Sequence, residues 1–120
     1  MKYNPRVIKT STLEEASKEL EGVGCDEDSI PIMAPKAVCR MIRLHGVDSV
    51  DAIIIKQEML SCGGDAALPR DIYFGERRNV DIMVIGTIKQ IREAIVKLRR
   101  QYSRLQEISL ELERVLEGEL

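Results

Sequence analysis

The stretch from Asp48 to Arg70, DSVDAIIIKQEMLSCGGDAALPR, constrains the fold more than any other part of the chain. The side chain of Asp48 can accept hydrogen bonds from the free amides of a first helical turn. Gly63-Gly64 can end that helix, because glycine adopts the left-handed backbone conformation without a side-chain clash. The residues between are mostly apolar, so the stretch predicts a helix over 48–62 that is buried on more than one side.

Three more helices are predicted from capping boxes, in which Ser or Thr is followed three residues later by Glu or Gln. The boxes are Ser11 with Glu14, Thr87 with Gln90, and Ser103 with Gln106. Apolar residues at helical spacing follow each of them. The sequence therefore predicts four helices, and the last is a C-terminal helix over 103–117.

Four segments have the composition of β-strands, namely 3–10, 32–44, 65–68 and 80–85. Pro5 indicates an edge position for the first, and Pro69 indicates a strand end or an edge position for the third, because proline cannot donate a hydrogen bond to a sheet. The last reads VDIMVI and is apolar at nearly every position, as in a sheet that is covered on both faces. The acidic segment 25–31 and the polar segment 71–79 are expected to be loops.

These elements follow the order β-α-β-α-β-β-α-α, with room for a brief extended piece in 71–79. The order predicts an α/β fold, a small sandwich with a mixed sheet of about four strands packed by helices, plus the C-terminal helix. A chain of 120 residues has room for one domain, 1–120, with its core in 3–102. The helix over 103–117 is a candidate connector to a following domain.

Charge and hydropathy exclude several classes of partner. The formal net charge of −2 gives no long-range attraction to nucleic acid or to an anionic membrane. The predicted helix over 88–104 has a basic side, which we expect to be solvated, to pair with the acidic tail (107–119) or to dock a neighbouring domain. No apolar run approaches the ~20 residues that cross a membrane, and the N-terminus lacks the apolar core of a signal peptide. We therefore expect a cytoplasmic protein.

Cysteine and histidine usage predicts neither a metal site nor a nucleophile. Cys25, Cys39 and Cys62 are odd in number and lack CxxC spacing, so we expect three reduced, partly buried thiols. Cys62 lies at the C-terminus of a predicted helix, a position that disfavours an activated nucleophile. His45 is the one histidine, and we expect it in a loop without the partners of a triad or metal site. No catalytic residue, metal or cofactor is predicted.

Two glycine turns and a lysine in the apolar helix are the candidates for ligand binding. Lys56, beside Gln57, either holds a substrate phosphate from a desolvated position or extends its ammonium to water. Gly86-Thr87 precedes a helix, whose free amides can bind an anion, although close packing and capping also explain this pair. The Gly63-Gly64 turn lacks the context of a phosphate-binding loop. The candidate ligand-binding residues are Lys56, Gln57, Gly63, Gly64, Asp65, Gly86 and Thr87.

Three segments carry a family resemblance: MAPKAVCRMIRLHGV (33–47), DAIIIKQEMLSCGGDAALPR (51–70) and DIMVIGTIKQIREAIVKLRRQ (81–101). They resemble the N-terminal accessory region that precedes the barrel in a subset of bacterial and archaeal dihydropteroate synthases. The similarity extends over residues 32–116. Its most diagnostic part is the KQEML-x-x-GGDAA run.

The resemblance implies a role in folate and pterin biosynthesis. In that family a (β/α)8 barrel joins p-aminobenzoate to a pterin diphosphate, and the substrate residues lie on the barrel. The signature Asn-x-Thr-Pro-Asp-Ser-Phe of the barrel is absent from this sequence, so no catalytic residue can be carried over. We therefore expect a non-catalytic accessory domain that contacts a catalytic barrel domain or a second copy of itself. Within a larger enzyme, the activity would be that of dihydropteroate synthase, a transferase.

Two other hypotheses remain open. One is a stand-alone binding module for a small anion or a pterin-type ligand, which requires the two glycine turns to lie at the same end of the sheet. The other is a self-associating scaffold, in which the last helix is apolar on one face from Leu105 to Leu116 and pairs with its copy in a homodimer.

Overall fold

Three strands and a layer of helices on one side of them make up the structure, a computed structural model that describes residues 1–120. The helices are α1 (Leu13–Val23), α2 (Ile30–Met33), α3 (Ser49–Ser61), α4 (Ile88–Arg99) and α5 (Ser103–Gly118). The strands are β1 (Cys39–Asp48), β2 (Asp65–Ala67) and β3 (Asn79–Thr87). Single 3-10 turns occupy Glu27–Ser29 and Ala34–Lys36. The α/β class predicted from the sequence is confirmed.

The sheet has the order β1-β3-β2, and both strand pairs are antiparallel. The expected mixed sheet of about four strands is therefore corrected to an antiparallel sheet of three. The short strand β2 lies at one edge, as Pro69 predicted, because a residue without an N–H interrupts further pairing. The long strand β1 forms the other edge.

Burial alternates along β3, which places Val80, Ile82 and Val84 in the core and leaves Asp81 exposed on the other face. Coverage on both faces was expected, and it is wrong, because the helices pack on one face only. The second face, which we call the open face, carries Met41, Met83, Ile85 and Ala67 in register across the three strands. Met41 is 67% exposed there. An apolar run alone does not distinguish a buried face from an open one.

Residues 3–10, which we call the arm, were predicted to form a strand and do not. The arm leaves the domain as irregular, exposed chain, and both Tyr3 and Val7 are 85% exposed. Strand propensity reflects packing against neighbouring strands, so Val and Ile do not create a strand where no strand lies alongside.

The segment 32–44 was expected to be one strand, but its first part is helical. The chain from Ile30 to Lys36 forms α2 and a 3-10 turn, and β1 begins only at Cys39. Pro35 lies in the first turn of the 3-10 helix Ala34–Lys36. Proline is tolerated there, because the N–H groups of a first turn make no hydrogen bond within the helix. The acidic loop expected over 25–31 likewise contains a 3-10 turn, capped by the Asp26 side chain. The polar segment 71–79 consists of turns up to the start of β3, without the brief extended piece considered there.

Two of the four predicted helix starts are confirmed. The Asp48 carboxylate accepts a hydrogen bond from the Val50 amide at 2.9 Å, and Thr87 and Gln90 form a complete capping box. The other two starts are displaced by one residue. Thr12 rather than Ser11 caps α1, and Tyr102 rather than Ser103 precedes α5 without a side-chain cap.

The core lies between the sheet and the helices α3 and α4, and α5 packs against α4 with Leu105, Leu112 and Leu116 in the same core. One face of α3 is buried through Ala52, Ile55 and Met59, whereas Val50 and Leu60 are exposed. Ile53 and Ile54 are partly buried against the core as well, so burial extends beyond one narrow stripe, as expected, and leaves the side with Val50 and Leu60 exposed. None of the helices combines the length and the apolar character that crossing a membrane requires.

The basic side of α4 pairs with the acidic face of α5. Arg92 bonds Glu117 at 2.8 Å, and Arg99 pairs with Glu113. Of the possibilities considered for this basic side, pairing with the acidic tail is the one that the structure contains.

Candidate functional site

The two glycine turns meet at one place, where α3 ends, β2 begins, β3 ends and α4 begins. We call this place the glycine junction. Gly63 has a φ of 91°, and the Gly64 amide donates to the Met59 carbonyl at 3.0 Å, which ends α3. A Cβ on Gly64 would lie 2.6 Å from the Ile85 carbonyl oxygen, and one on Gly86 would lie 3.3 Å from the Met59 methyl carbon. Glycine is therefore needed at Gly64 for the backbones to approach, whereas at Gly86 a Cβ would require only small shifts of the Met59 and Gln90 side chains.

Lys56 reaches the junction from the last turns of α3. Its ammonium donates to the Asp65 carboxylate and to the Ala66 carbonyl, each at 2.8 Å. The hydrogen bond from Lys56 is the main reason why the pKa of Asp65 lies below its ordinary value. Gln57 points elsewhere, since it is exposed and has no side-chain hydrogen bond. The structure thus brings together all of the candidate ligand-binding residues except Gln57.

The amides that could bind an anion at this junction are largely engaged. The Ile88 amide donates to the Val38 carbonyl at 2.9 Å, and the Gln90 amide donates to the Thr87 hydroxyl at 3.1 Å. The Gln90 side chain fills the space beside Gly63 and Gly86. An anion would have to displace this side chain to reach the helix N-terminus. The glycine junction is therefore a closely packed contact between elements, without free space for a ligand.

A cleft of about 670 Å³ lies elsewhere, between β1 and α5. Seven consecutive residues of β1, 42–48, line it, so the cleft runs along the edge of the strand rather than over one face. The facing residues of α5 lie on one side of that helix: Arg104, Glu107, Ile108, Glu111, Leu112 and Val115. A second cavity of about 340 Å³ continues toward Arg40 and Glu119. We call the two together the β1–α5 groove.

A buried carboxylate closes one end of this groove. Asp51 is 1% exposed, and it accepts two hydrogen bonds from Arg104, at 2.8 and 3.1 Å, and one from the Tyr102 hydroxyl. Burial raises the pKa of Tyr102, and the neighbouring Asp51 raises it further. Hydrogen bonding to Asp51 also raises the pKa of Arg104. Together, these contacts fix the α4–α5 connection to the start of α3.

Sequence reasoning placed Asp51 only near the helix dipole and missed this cluster. The one available signal was that Asp48 already caps α3, which left Asp51 as a second acid facing an apolar core. Asp48 itself is held by Arg77 at 2.8 Å, and this contact lowers the pKa of Asp48. By contrast, Glu107 and Glu111 line the groove without any ion pair, although basic residues are common nearby.

His45 lies in β1 rather than in the expected loop, and its side chain is on the open face. Its Nδ1 is 3.1 Å from an Asp81 oxygen, which also faces Arg43 at 3.4 Å. The Gly46 amide and then His45 are the main causes of a lowered pKa at Asp81. All three cysteines are free thiols; Cys25 and Cys62 are partly buried as expected, whereas Cys39 is exposed. No group of three or more His, Cys, Asp or Glu side chains is placed to hold a metal ion.

Fold and groove together define a small α/β domain with a three-stranded antiparallel sheet and one unpaired strand edge beside a helix. No family model matches the chain, and no solved structure matches it. The chain is similar to the bifunctional dihydropteroate synthase/dihydropteroate reductase of Helicobacter pylori, with 27% identity over 106 residues. The match covers 88% of this chain and 28% of the relative. The chain thus spans less than a third of the relative's length.

Proposed function

We propose that this chain is a non-catalytic accessory domain of a dihydropteroate synthase-like protein and serves folate and pterin biosynthesis by contact with a catalytic domain. The observation that carries the proposal is the match over 88% of this chain to 28% of a bifunctional dihydropteroate synthase/reductase. The similarity lies within one part of a multifunctional enzyme, which supports the role of one part of such an enzyme for this chain. The KQEML-x-x-GGDAA run supports the same family.

The positions of the carboxylates support a role without chemistry of its own. Asp48, Asp51 and Asp65 each hold a basic side chain that joins two elements of the fold. Carboxylates with such structural partners are not poised to exchange protons with a substrate.

The open face is the surface that we assign to the contact with a catalytic barrel domain. Met41, Met83, Ile85 and Ala67 form an apolar centre, and Arg43 and Asp81 lie at its rim. An apolar centre with a polar rim is the usual composition of an interface between domains. The unmatched length of the relative provides an occupant of the required kind, since most of that enzyme lies outside the similarity.

Titration calorimetry of this chain against a dihydropteroate synthase barrel from the same organism tests the proposal. We expect a complex, and we expect Met41→Asp to weaken it about tenfold, because a buried unpaired charge is costly at an interface centre. Leu110→Asp is the matched control, since Leu110 is 57% exposed on α5, away from the open face. The absence of a complex with the unsubstituted chain would contradict the proposal.

An activity assay provides the second test. The purified chain, supplied with p-aminobenzoate and the pterin diphosphate, is expected to form no dihydropteroate. Turnover by the chain alone would refute its non-catalytic role, whatever it binds.

A second candidate function is the binding of a small anion or a pterin-type ligand at the glycine junction. The observation in its favour is that the two turns lie at the same end of the sheet, as this hypothesis requires. Amide chemical shifts during titration with inorganic diphosphate, and then with a pterin, test it. Saturable shifts centred on Gly63, Gly64, Gly86 and Thr87 would support binding, and unchanged shifts at those residues would exclude it.

A further inference from the structure

Three residues of the apolar stripe of α5, Leu105, Leu112 and Leu116, are buried in the domain, which leaves Val115 as its main exposed residue. The unpaired edge of β1 offers a different surface. The run β1-α3-β2-β3-α4 matches the first five elements of a β-α-β-β-α-β ferredoxin-like unit, and a sixth element, a strand, is missing. A long unpaired strand edge is a template for another strand. Here that edge faces a groove rather than bulk solvent.

The arm begins at the mouth of the groove. The Thr10 hydroxyl donates to the Ala37 carbonyl at 3.2 Å, just before β1. The Arg40 guanidinium donates to the Ser11 carbonyl at 2.6 Å and to the Glu119 carbonyl at 3.0 Å. These contacts place the root of the arm at the start of β1 and the end of α5. An arm that enters the groove from this end runs antiparallel to β1, as the other pairs in this sheet do.

The arm and the groove are complementary in charge. The first ten residues, MKYNPRVIKT, contain Lys2, Arg6 and Lys9 and no acidic residue. Arg43 and Arg104 also line the groove but are paired with Asp81 and Asp51, whereas Glu107 and Glu111 have no ion pair in the domain. Ile8 matches the apolar lining from α5, and Arg6 falls on the same side of the strand, because side chains two residues apart point the same way. Pro5 is acceptable in this setting, because the added strand would be at the sheet edge.

The spacing of the two elements agrees with this placement. A strand advances about 3.3 Å per residue and a helix about 1.5 Å. From Thr10 to Arg6 is thus about 13 Å along a strand, and from Glu119 to Glu111 is about 12 Å along α5. Ile8 falls opposite Val115 by the same arithmetic. An arm that enters a groove at this corner, with Thr10 level with Glu119, therefore brings Arg6 level with the unpaired Glu111, and the same register applies when the groove belongs to a second copy.

We propose that the arm of one copy forms a fourth strand, antiparallel to β1, in the β1–α5 groove of a second copy, and that the exchange is reciprocal. The second copy is the occupant because the arm lies away from its own groove, with Tyr3 and Val7 exposed to solvent. The radius of gyration is 16.9 Å, whereas a compact chain of this length has roughly 14 Å, in agreement with a projecting arm. Reciprocal exchange closes a two-fold dimer.

Sedimentation velocity over a range of concentrations tests the dimer. We expect the full chain to dimerise and a chain without residues 2–9 to remain monomeric. The charge reversals Arg6→Glu and Glu111→Arg should each weaken the dimer about tenfold, because the dimer contains the pair twice. Glu19→Arg is the matched control, an exposed glutamate on α1 without an ion pair, and it should leave dimerisation unchanged.

A mixture of the two charge-reversed chains separates exchange between copies from closure of the arm on its own groove. In the mixed dimer, the reversed arm of one chain enters the reversed groove of the other, so that opposite charges meet again. The second arm and groove of that dimer keep the natural pair. We therefore expect the mixture to dimerise as tightly as the unsubstituted chain.

Two results would overturn the proposal. One is a full chain that stays monomeric at every concentration, and the other is a mixture no tighter than either variant alone. Neither result depends on the proposed function, because no synthase is present in these experiments.

Discussion

The glycine junction and the β1–α5 groove are both places where a helix meets a strand, and they differ in how closely the two approach. At the junction, glycines allow the α3 turn to contact the backbone of β3, and side chains of Met59 and Gln90 fill what remains. In the groove, α5 stands away from the edge of β1 and leaves about 670 Å³ between them. The first place can only be loosened by a substitution, whereas the second can accept another chain.

This difference shows where each kind of function can lie. The residues that the sequence suggested for ligand binding instead pack the glycine junction. Glycine allows close approach of the backbone, and Lys56 pairs with Asp65. The surface with free hydrogen-bonding edge, apolar lining and unpaired carboxylates lies where the sequence contains no motif. Four substitutions or conditions test the contrast, and they follow in order of expected effect.

Gly64→Ala should cause the largest loss, about 3 kcal/mol in the free energy of unfolding, because the new Cβ overpacks the junction. It would lie 2.6 Å from a carbonyl oxygen of β3 and 2.7 Å from the Met59 methyl carbon. Urea unfolding measures the change. Gly22→Ala is the control, since nothing lies within 4 Å of its Cβ and alanine favours the helix. Equal effects of the two substitutions would mean that the junction is not tightly packed.

Tyr102→Phe should destabilise the protein by about 1 kcal/mol, because it removes one donor from a buried carboxylate that keeps its bonds to Arg104. Thermal or urea unfolding measures it. Tyr73→Phe, at a 61% exposed tyrosine, should have no effect. If both variants are neutral, the hydrogen bond from Tyr102 to Asp51 does not stabilise this end of the groove.

Val115→Ala should change stability by less than about 0.5 kcal/mol when the protein is dilute, because this side chain is 50% exposed in the groove wall. Urea unfolding at low protein concentration measures it. A loss as large as that of Gly64→Ala would show that the groove is filled in the isolated chain.

Lowering the pH should cause the smallest and most gradual change in the free energy of unfolding, through the contact between Asp65 and Lys56. The folded pKa of Asp65 lies below its ordinary 3.8, so the Lys56 contact contributes stability above that value and loses it as the pH falls through the folded pKa. The stability difference between the natural chain and Asp65→Asn should therefore shrink between neutral pH and about pH 3. If the stability difference between the two chains does not change with pH, the charge of Asp65 does not contribute to its contact with Lys56.

Local signals in the sequence predicted the parts of the fold that local chemistry determines. The bounds of α3, the Gly-Gly exit, the capping box of α4 and the edge position of β2 all follow from residues within a few positions of each other. Partners distant in the chain decided the rest. The arm has the composition of a strand and lacks a neighbour, and β3 has the composition of a doubly covered strand and lacks a second layer.

The candidate site divides in the same way. Its predicted residues, apart from Gln57, do come together, because the turns that carry them adjoin the same strand end. The groove could not be predicted, since it depends on how α5 lies relative to β1, and Glu107 and Glu111 become notable only once their lack of partners is known. An unpaired acid is a property of the assembled molecule rather than of a motif.

Arg40 has a consequence for protein engineering. One guanidinium holds the carbonyls of Ser11 and Glu119, which lie near opposite ends of the chain, at a single corner. Polypeptide attached before Ser11 or after Glu119 must emerge from that same corner. A circular permutant that joins these two positions through a short linker should therefore fold, and new termini could be opened in the exposed turn around Phe74.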